Sequence, residues 1–544
     1  MCRRLLPVAL VPPLVQMRLG PSGLIELVSP FDPVTQAQLR RIRPAGQWLP
    51  RRSCWEFPLE AAVALEQTLS GRFPVTAELA RWLDWLRQPL PPLPPHRLLV
   101  QAAALEDHLA DGRQPMAHQR HAARWLLARR GAVLADAMGL GKTLSALLAA
   151  RALVRCGDCR VVVVAPAGLR SHWRQEALAL ELQLELHSWA RLPPDLPEAG
   201  CVLVVDEAHF AQSAQAVRSQ ALLRLARHPR LRAIWLLTGT PMKNGRPSQL
   251  LPLLAAIGHP LAADRRAFEE RYCQGHWRER AGRRIWEASG ASHLEELQRL
   301  VRPLLLHRSK GQCLDLPPKQ RRLQPVSLAP AAAADFERRL DGCVRDFRQR
   351  AARGLVRRDA EALAVLTALR RIGSEHKLPA AVQLLRSLLA ADEPVVVFTA
   401  FVATAQALHH RFGADAEAVL LTGAVPVQRR QALVDAFQLG RRRLLFATFG
   451  TGGLGFTLHR ARHVVLIERP WTPGDAEQAE DRCHRIGMAA TLTSHWLQLG
   501  QADAFVDSLI ADKAERIELL LHSRERRRQQ RALPALVRQW LERW

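Results

Sequence analysis

The sequence predicts an α/β chain: two doubly wound parallel sheets with helical insertions between them, a small N-terminal module and a helical C-terminal segment. Two series of short apolar runs carry this expectation. The first comprises Ala132 to Ala135, Val161 to Ala165, Val202 to Val205 and Ile234 to Leu237. The second begins near Pro394, with Val395 to Phe398, Val419 to Leu421, Leu444 to Ala447 and Val464 to Ile467. Each run closes on polar or glycine-rich residues, and helix-like segments separate successive runs. That alternation is expected when helices cover both faces of a parallel sheet.

Taken in order, residues 1–88 read as an accessory module, and the proline-rich stretch within 89–96 (Pro89-Leu-Pro-Pro-Leu-Pro-Pro95) as an extended linker. A linker of that kind should let the module be removed without opening the rest. Residues 97–249 form the first lobe and 381–500 the second. Between them, 250–380 is rich in Arg, Leu, Glu and Ala at helical spacing, broken by Leu316-Pro-Pro-Lys319, and reads as helical insertions and an inter-lobe linker. Residues 501–544 form a basic helical segment in which Leu533, Leu536, Val537, Trp540, Leu541 and Trp544 make one stripe, expected to pack on the body of the protein.

A chain of 544 residues calls for roughly three or four such units. Its net charge of +26, from 77 Lys+Arg against 51 Asp+Glu, favours a polyanionic partner, nucleic acid first. Only six of the 77 are lysine, a bias of GC-rich coding. Nine scattered cysteines do not form a disulfide framework, and Cys156-x-x-Cys159 lacks a second ligand pair at zinc spacing. Arg3-Arg4 and the apolar residues after it imitate a signal peptide, but Pro7, Pro12 and Pro13 interrupt them. No run approaches a membrane span, so a bacterial cytoplasmic, nucleoid-associated protein without a membrane partner is expected.

In open α/β sheets, ligands bind where strands end and helices begin. The first run ends in Asp136-Ala-Met-Gly139-Leu-Gly141-Lys142-Thr143. Glycines there let backbone N–H groups close on phosphate oxygens, Lys142 neutralises them, and Thr143 offers a hydroxyl to Mg²⁺. Asp136 stands where G-x-x-x-x-G-K-[ST] has its first glycine. The third run ends in Asp206-Glu207-Ala208-His209. There Asp206 can hold Mg²⁺ through its water shell and Glu207 can orient or deprotonate the attacking water, although an acidic pair at a strand end also serves as a helix cap.

These residues resemble the Swi/Snf family of helicase-like ATPases in helicase superfamily two, over roughly residues 114–500. Met116-Ala-His-Gln119 is similar to the segment whose glutamine reads adenine. Ala135 to Thr143 is similar to the family's phosphate loop, with Ala137 in place of an acidic residue. Ala165-Pro166, Ser171-His-Trp173 with Glu176, and Leu237-Thr-Gly-Thr-Pro241 with Asn244 match further motifs. In the second half, Thr451-Gly-Gly453 with Gly455, and Gln478-x-x-Asp481-Arg482-x-His484-Arg485-Ile-Gly487, resemble the Ala-Gly-Gly and arginine motifs. Met488 replaces a common glutamine, and Trp471 and Pro473 fit the approach.

The resemblance implies two RecA-like lobes closing on ATP and Mg²⁺ and moving along duplex, fork or branched DNA in repair or genome maintenance. Gln119, Gly139, Gly141, Lys142, Thr143 and Gly455 would hold the nucleotide. Lys142, Asp206, Glu207, Arg482 and Arg485 would carry catalysis, and Thr143 and Asp206 the metal. Arg170, Ser171, His172, Thr448, Thr451 and Gly452 would touch the DNA backbone. Arg485 is the expected arginine finger, against the alternative of an Asp481–Arg485 helix ion pair worth ~0.3–0.5 kcal/mol. Gly46-Gln-Trp48, Arg51-Arg52 and Trp55-Glu-Phe-Pro-Leu59 look like the HARP-type module of annealing helicases, whose aromatics would either stack on bases or fill the module's own core. Three other functions compete: a strand-separating helicase, an RNA-polymerase-remodelling ATPase, and a nucleotide-gated DNA-binding scaffold with negligible turnover.

Overall fold

The computed structural model describes residues 16–521, apart from 21, 29–31, 70, 87–102, 107, 158, 199, 281–282, 354–360, 413–417, 453–455 and 471. The proline-rich stretch, the stripe within 533–544, Gly453, Gly455 and Trp471 therefore lie outside the described residues.

The N-terminal strands β1 (Gln16–Leu19), β2 (Ile25–Val28), β3 (Gln47–Leu49) and β4 (Cys54–Phe57) form an antiparallel sheet in the order β1-β2-β4-β3. The first lobe is built on β5 (Gly131–Leu134), β6 (Arg160–Ala165), β7 (Glu185–Ser188), β8 (Cys201–Val205) and β9 (Leu231–Leu237). A hairpin, β10 (His276–Arg280) with β11 (Arg283–Glu287), stands apart as its own two-stranded sheet. β12 (Leu305–Leu306) completes the first parallel sheet in the order β12-β5-β9-β8-β6-β7. The second sheet takes β13 (Lys319–Pro325), β14 (Val395–Thr399), β15 (Ala418–Leu421), β16 (Leu444–Thr448), β17 (His463–Leu466) and β18 (Leu492–Gln498) in the order β13-β18-β17-β14-β16-β15. Each of the two parallel sheets has an apolar cluster on both faces, which is why its central strands read as unbroken apolar runs.

All eight runs in the sequence are strands of these two parallel sheets, and the α/β class holds. Strands β7, β12, β13 and β18 carry no such run. β12 has two residues, and β7 and β13 are polar edge strands. β18 is buried, but its Leu-Thr-Ser-His-Trp-Leu-Gln mixes hydrogen-bonding side chains into the apolar pattern. The stretch 250–380, expected as helices and linker, thus also supplies an edge strand to each sheet.

Among the described residues, the N-terminal module packs directly against the rest of the chain. Its helix Ala77–Leu86 buries Leu79, Trp82 and Leu83 in one continuous core with Leu254, Ile257, Leu297 and Leu300 of the first lobe. Trp82 and Trp85 pack edge-on against His259, with ring centroids 4.9 and 4.5 Å away, and burial pushes that imidazole down to about 3. Arg302 pairs with Glu60 at 3.3 Å, and Arg299 donates to the Ser22 carbonyl. Removing the module would strip this face, so a truncated chain is expected to lose stability. Trp82→Ala should lower stability by ~3–5 kcal/mol in chemical denaturation, the cost of a large buried ring deleted from a packed interface.

Within the module the aromatics mainly fill its core. Trp55 and Phe57 are buried, Trp55 Nε1 donates to Gln36, and Arg52 pairs with Glu26 and Glu56. Of Trp48, Trp55 and Phe57, Trp48 alone keeps an exposed edge. Stacking of Trp55 or Phe57 on bases is therefore ruled out by their burial.

The last described helix, Gly500–Leu521, straddles the lobes. Near its start, Asp503 pairs with buried Lys377 at 2.6 Å and Asp507 with fully buried Arg469 at 2.5 Å, both in the second lobe. Near its end, Leu520 enters the core of the first lobe with Ile517 and Leu519 packed beside it, and Lys513 and Arg516 lie against Gly245.

Candidate functional site

Strands β5, β9 and β8 are neighbours, so the residues following them converge on one edge of the first sheet. After β5 the chain turns through Gly139 (φ +86°) and Gly141 (φ +76°) into the helix Lys142–Arg155. Both glycines need the left-handed region that side chains disfavour. At Gly141 a Cβ would also collide with Gln119 Nε2. Gln119 is buried beneath this turn, where its Oε1 accepts from the Met116 N–H at 2.9 Å and its Nε2 lies 3.4 Å from the Leu140 carbonyl. Lys142 Nζ donates to the carbonyls of Asp136 at 2.8 Å and Ala137 at 3.5 Å, and burial lowers its pKa. Thr143 sits half-buried in the first turn of the helix.

Beyond β8, Asp206 is buried and held from two sides. Trp173 Nε1 donates to Oδ2 at 2.9 Å and the Glu207 N–H to Oδ1 at 2.9 Å. Burial, with the Glu207 charge beside it, raises the Asp206 carboxyl well above its usual range. Glu207 has φ +49°, ψ +48°, a left-handed conformation that costs a non-glycine residue ~1 kcal/mol or more. Burial alone would raise its pKa too, but His209 Nδ1, 3.1 Å from Oε2, and the charges of Lys142 and Arg482 outweigh that and keep Glu207 ionised. Two adjacent carboxyl groups with opposed shifts are a common mark of a reactive site.

The second lobe faces this edge with the helix Pro473–Cys483. Arg482, in its last turn, is 3 % exposed. Burial and the neighbouring Arg485 push its guanidinium down to about 9, against the pull of Glu207, Asp481 and Asp206. Arg485 lies two residues past the helix, so the two arginines do not share a helical face. Its Nε donates to the Asp481 carbonyl and an NH to Thr457 Oγ1, both at 3.1 Å, and its side chain passes beside Gly139. The Asp481 carboxylate is held instead by Lys310 at 2.9 Å and Lys319 at 3.4 Å. Lys243 pairs with Asp475 at 2.9 Å across the same cleft, and Gly474 approaches Thr240 too closely for any larger residue.

Sequence reasoning passed over several groups that build this site. Asp136, in place of a loop glycine, is 1 % exposed and forms a fork with Arg308, whose Nε bond is 3.0 Å. Arg113 makes the same kind of fork with Glu176, at 3.1 and 3.0 Å. Trp173 was noticed only as part of a motif. The remaining signal was composition: in a chain with six lysines, Lys142, Lys243, Lys310 and Lys319 all lie at this cleft.

The other residues expected to bind are distributed as follows. Arg170, half-buried, begins the helix Arg170–Ala179, and Ser171 and His172 are exposed on its first turn. Thr448 ends β16 and is buried with Thr451, and their hydroxyls bond each other at 3.0 Å instead of facing an open surface. Gly452 closes the short helix Phe449–Gly452. Among the described residues, no group of acidic, His and Cys side chains forms a further metal site, and no helix is long and apolar enough to cross a membrane.

Comparison with known proteins agrees with this geometry. Residues 199–378 match the SNF2-related domain, and residues 377–487 match the helicase conserved C-terminal domain. The DNA annealing helicase and endonuclease ZRANB3 of Mus musculus is 30% identical over 73% of this chain and 40% of its own length. The SWI/SNF-related matrix-associated actin-dependent regulator of chromatin subfamily A-like protein 1 of Xenopus tropicalis is 27% identical over 74% of this chain and 44% of its own. The putative ATP-dependent helicase/translocase YwqA of Bacillus subtilis is 26% identical over 73% of this chain and 47% of its own. The chain thus spans somewhat less than half the length of these relatives. With both domains matched in order and the motif residues gathered at one inter-lobe cleft, the chain belongs to the Swi/Snf family of helicase-like ATPases.

Proposed function

We propose that this protein is a DNA-stimulated ATPase that translocates on duplex or branched DNA in the bacterial cytoplasm and serves genome maintenance. The observation that carries the reading is the approach of Arg482 and Arg485, from one lobe, to Lys142, Asp206 and Glu207 of the other. Phosphoryl transfer depends on positioning and charge neutralisation, and this arrangement couples both to the distance between the lobes. Two of the relatives, an annealing helicase and a putative helicase/translocase, support the DNA side, as does the net charge of +26.

The residues present fit ATP and Mg²⁺. The Gly139–Gly141 turn lets backbone amides approach closely, Lys142 is held by carbonyl oxygens among the described residues, and the carboxylates sit at the strand end beside it. In this reading Gln119, Gly139, Gly141, Lys142, Thr143 and Gly455 hold the nucleotide, and the Thr143 hydroxyl and Asp206 hold the metal. Bound Mg²⁺ supplies charge neutralisation at the phosphates. Trp173 fixes the orientation of Asp206. Glu207, ionised and aimed by its left-handed backbone, accepts a proton from the attacking water. In this reading Arg170 and the exposed Ser171 and His172 grip the DNA backbone, where hydroxyls and N–H groups contact phosphates without reading bases, while Thr448 and Thr451, buried and bonded to each other, shape the segment that ends at Gly452 instead of offering their hydroxyls to phosphate.

The test is ATP turnover measured without nucleic acid and with single-stranded DNA, duplex, fork and RNA. Stimulation by duplex or fork is expected. Glu207→Gln should keep ATP binding and lose ~10²-fold or more of the stimulated rate. Wild-type turnover in that variant would refute the assignment, and negligible turnover of the unaltered protein with every nucleic acid would favour the scaffold instead. A second reading, strand separation, draws on the β10–β11 hairpin. It stands clear of both large sheets with Trp277 49% and Ile285 44% exposed, and Arg266 lies over the Trp277 and Trp286 rings. ATP-dependent release of a labelled strand from a fork would decide for it.

A further inference from the structure

The geometry points to Lys310 as a positioning residue, one that ties the arginine-bearing end of the second lobe to the phosphate loop of the first. The inference rests on the ATPase reading and adds to it a part that no motif match identified.

The tie begins in the first sheet. β12 runs parallel to β5 with Leu306 beside Leu134, so the two chains leave the sheet side by side, one into the phosphate loop and the other into residues 307–310. They are laced together as they go. The Ala135 N–H donates to the Leu306 carbonyl at 2.7 Å, and the Ala137 N–H donates to the Arg308 carbonyl at 2.9 Å. His307 Nδ1 lies 2.7 Å from the Ala135 carbonyl, and the Arg308 guanidinium forks onto Asp136. Segment 307–310 must therefore move with the loop.

Lys310 then reaches the other lobe. Its Nζ donates to the His484 carbonyl at 2.5 Å and to Asp481 Oδ1 at 2.9 Å, and its side chain lies next to Gly139, beside that of Arg485. His484 caps the helix Pro473–Cys483 in a non-helical conformation (φ −83°, ψ +81°), and Arg485 is the next residue. By holding the carbonyl between the helix and Arg485, the ammonium fixes where the Arg485 side chain starts. Lysine suits this role because a compact ammonium can bond a carbonyl and a carboxylate at once, in directions that a planar guanidinium matches poorly. Asp481 keeps Lys319 at 3.4 Å, so the loss of Lys310 does not strand its carboxylate.

Two measurements on the full-length protein test the tie, with Lys310→Met keeping the length of the side chain while removing its charge. Without nucleotide, amide hydrogen exchange over residues 481–488 should speed up by about tenfold or more, with other segments unchanged. With saturating duplex DNA, kcat for ATP should fall ~10-fold or more while KM changes less than ~3-fold, and Lys310→Arg should restore part of kcat. Because Lys310 acts through Arg485, Lys310→Met combined with Arg485→Ala should turn over no more slowly than Arg485→Ala alone, within about twofold. Unchanged exchange, unchanged kcat, or losses that multiply in the double variant would each overturn the tie. If the unaltered protein hydrolyses no ATP with any nucleic acid, the ATPase reading falls, and the exchange result alone decides whether Lys310 holds the end of the second lobe.

Discussion

Lys142→Ala is expected to lower DNA-stimulated ATP turnover by about 10³-fold or more, the scale on which clamps on a transferring phosphoryl group act. Among the described residues Lys142 bonds to the Asp136 and Ala137 carbonyls, both of its own loop, so its ammonium is available to a phosphate without breaking a salt bridge. Two of the nearby carboxylates have other partners, Asp136 in Arg308 and Asp206 in Trp173 and the Glu207 N–H, whereas Glu207, beside His209, also draws on the charge of Lys142. Removing Lys142 should therefore cost ~1–3 kcal/mol of stability, the worth of two net hydrogen bonds, with Glu207 losing part of the positive charge it faces. ATP turnover, nucleotide affinity and thermal melting measured on one preparation check this. Turnover within tenfold of the unaltered protein would remove Lys142 from the catalytic set.

How far the sequence could be read follows from where the physical signal lies. The central strands of both sheets are covered on each face, which forces unbroken runs such as Val161 to Ala165, and the loops after them carry residue types that few other functions require. Edge strands have no such constraint, and β13, Lys-Gln-Arg-Arg-Leu-Gln-Pro, looks like a linker until its partner β18 is known. The proline-rich stretch suggested a separable module, whereas the interface is written in the helix before it, where Leu79, Trp82, Leu83 and Trp85 already form an apolar stripe. Long-range pairs were the least legible. Arg308 meets Asp136 172 positions away and Lys310 meets His484 174 away, and nothing local marks either partner.

These long-range pairs also bear on how the lobes can move. The helix Gly500–Leu521 is fastened to the second lobe by Lys377–Asp503 and Arg469–Asp507, and to the first by Leu520 and its neighbours. Lys243–Asp475 and Lys310–Asp481 cross the cleft itself. Any change in lobe separation must therefore bend or release these contacts.

Arg485→Ala is expected to bind DNA and ATP and to lose roughly 10³-fold of stimulated turnover, the contribution of an arginine finger in related chemistry. The competing structural role would be a helix ion pair with Asp481, worth ~0.3–0.5 kcal/mol. That pair is not what forms: Arg485 lies beyond the helix and donates to the Asp481 carbonyl and Thr457 Oγ1, while the Asp481 carboxylate goes to Lys310 and Lys319. Its removal deletes two hydrogen bonds to uncharged acceptors, a loss of ~1 kcal/mol each, which leaves most of the stability in place. Arg482 provides the contrast. It is 3 % exposed and close to Glu207 and Asp206, so Arg482→Ala should open a cavity beside buried carboxylates and lower stability and turnover together. Turnover and melting of the two variants separate the roles: a finger at Arg485 loses rate without melting, whereas near-normal turnover in Arg485→Ala refutes the assignment and transfers the role to Arg482.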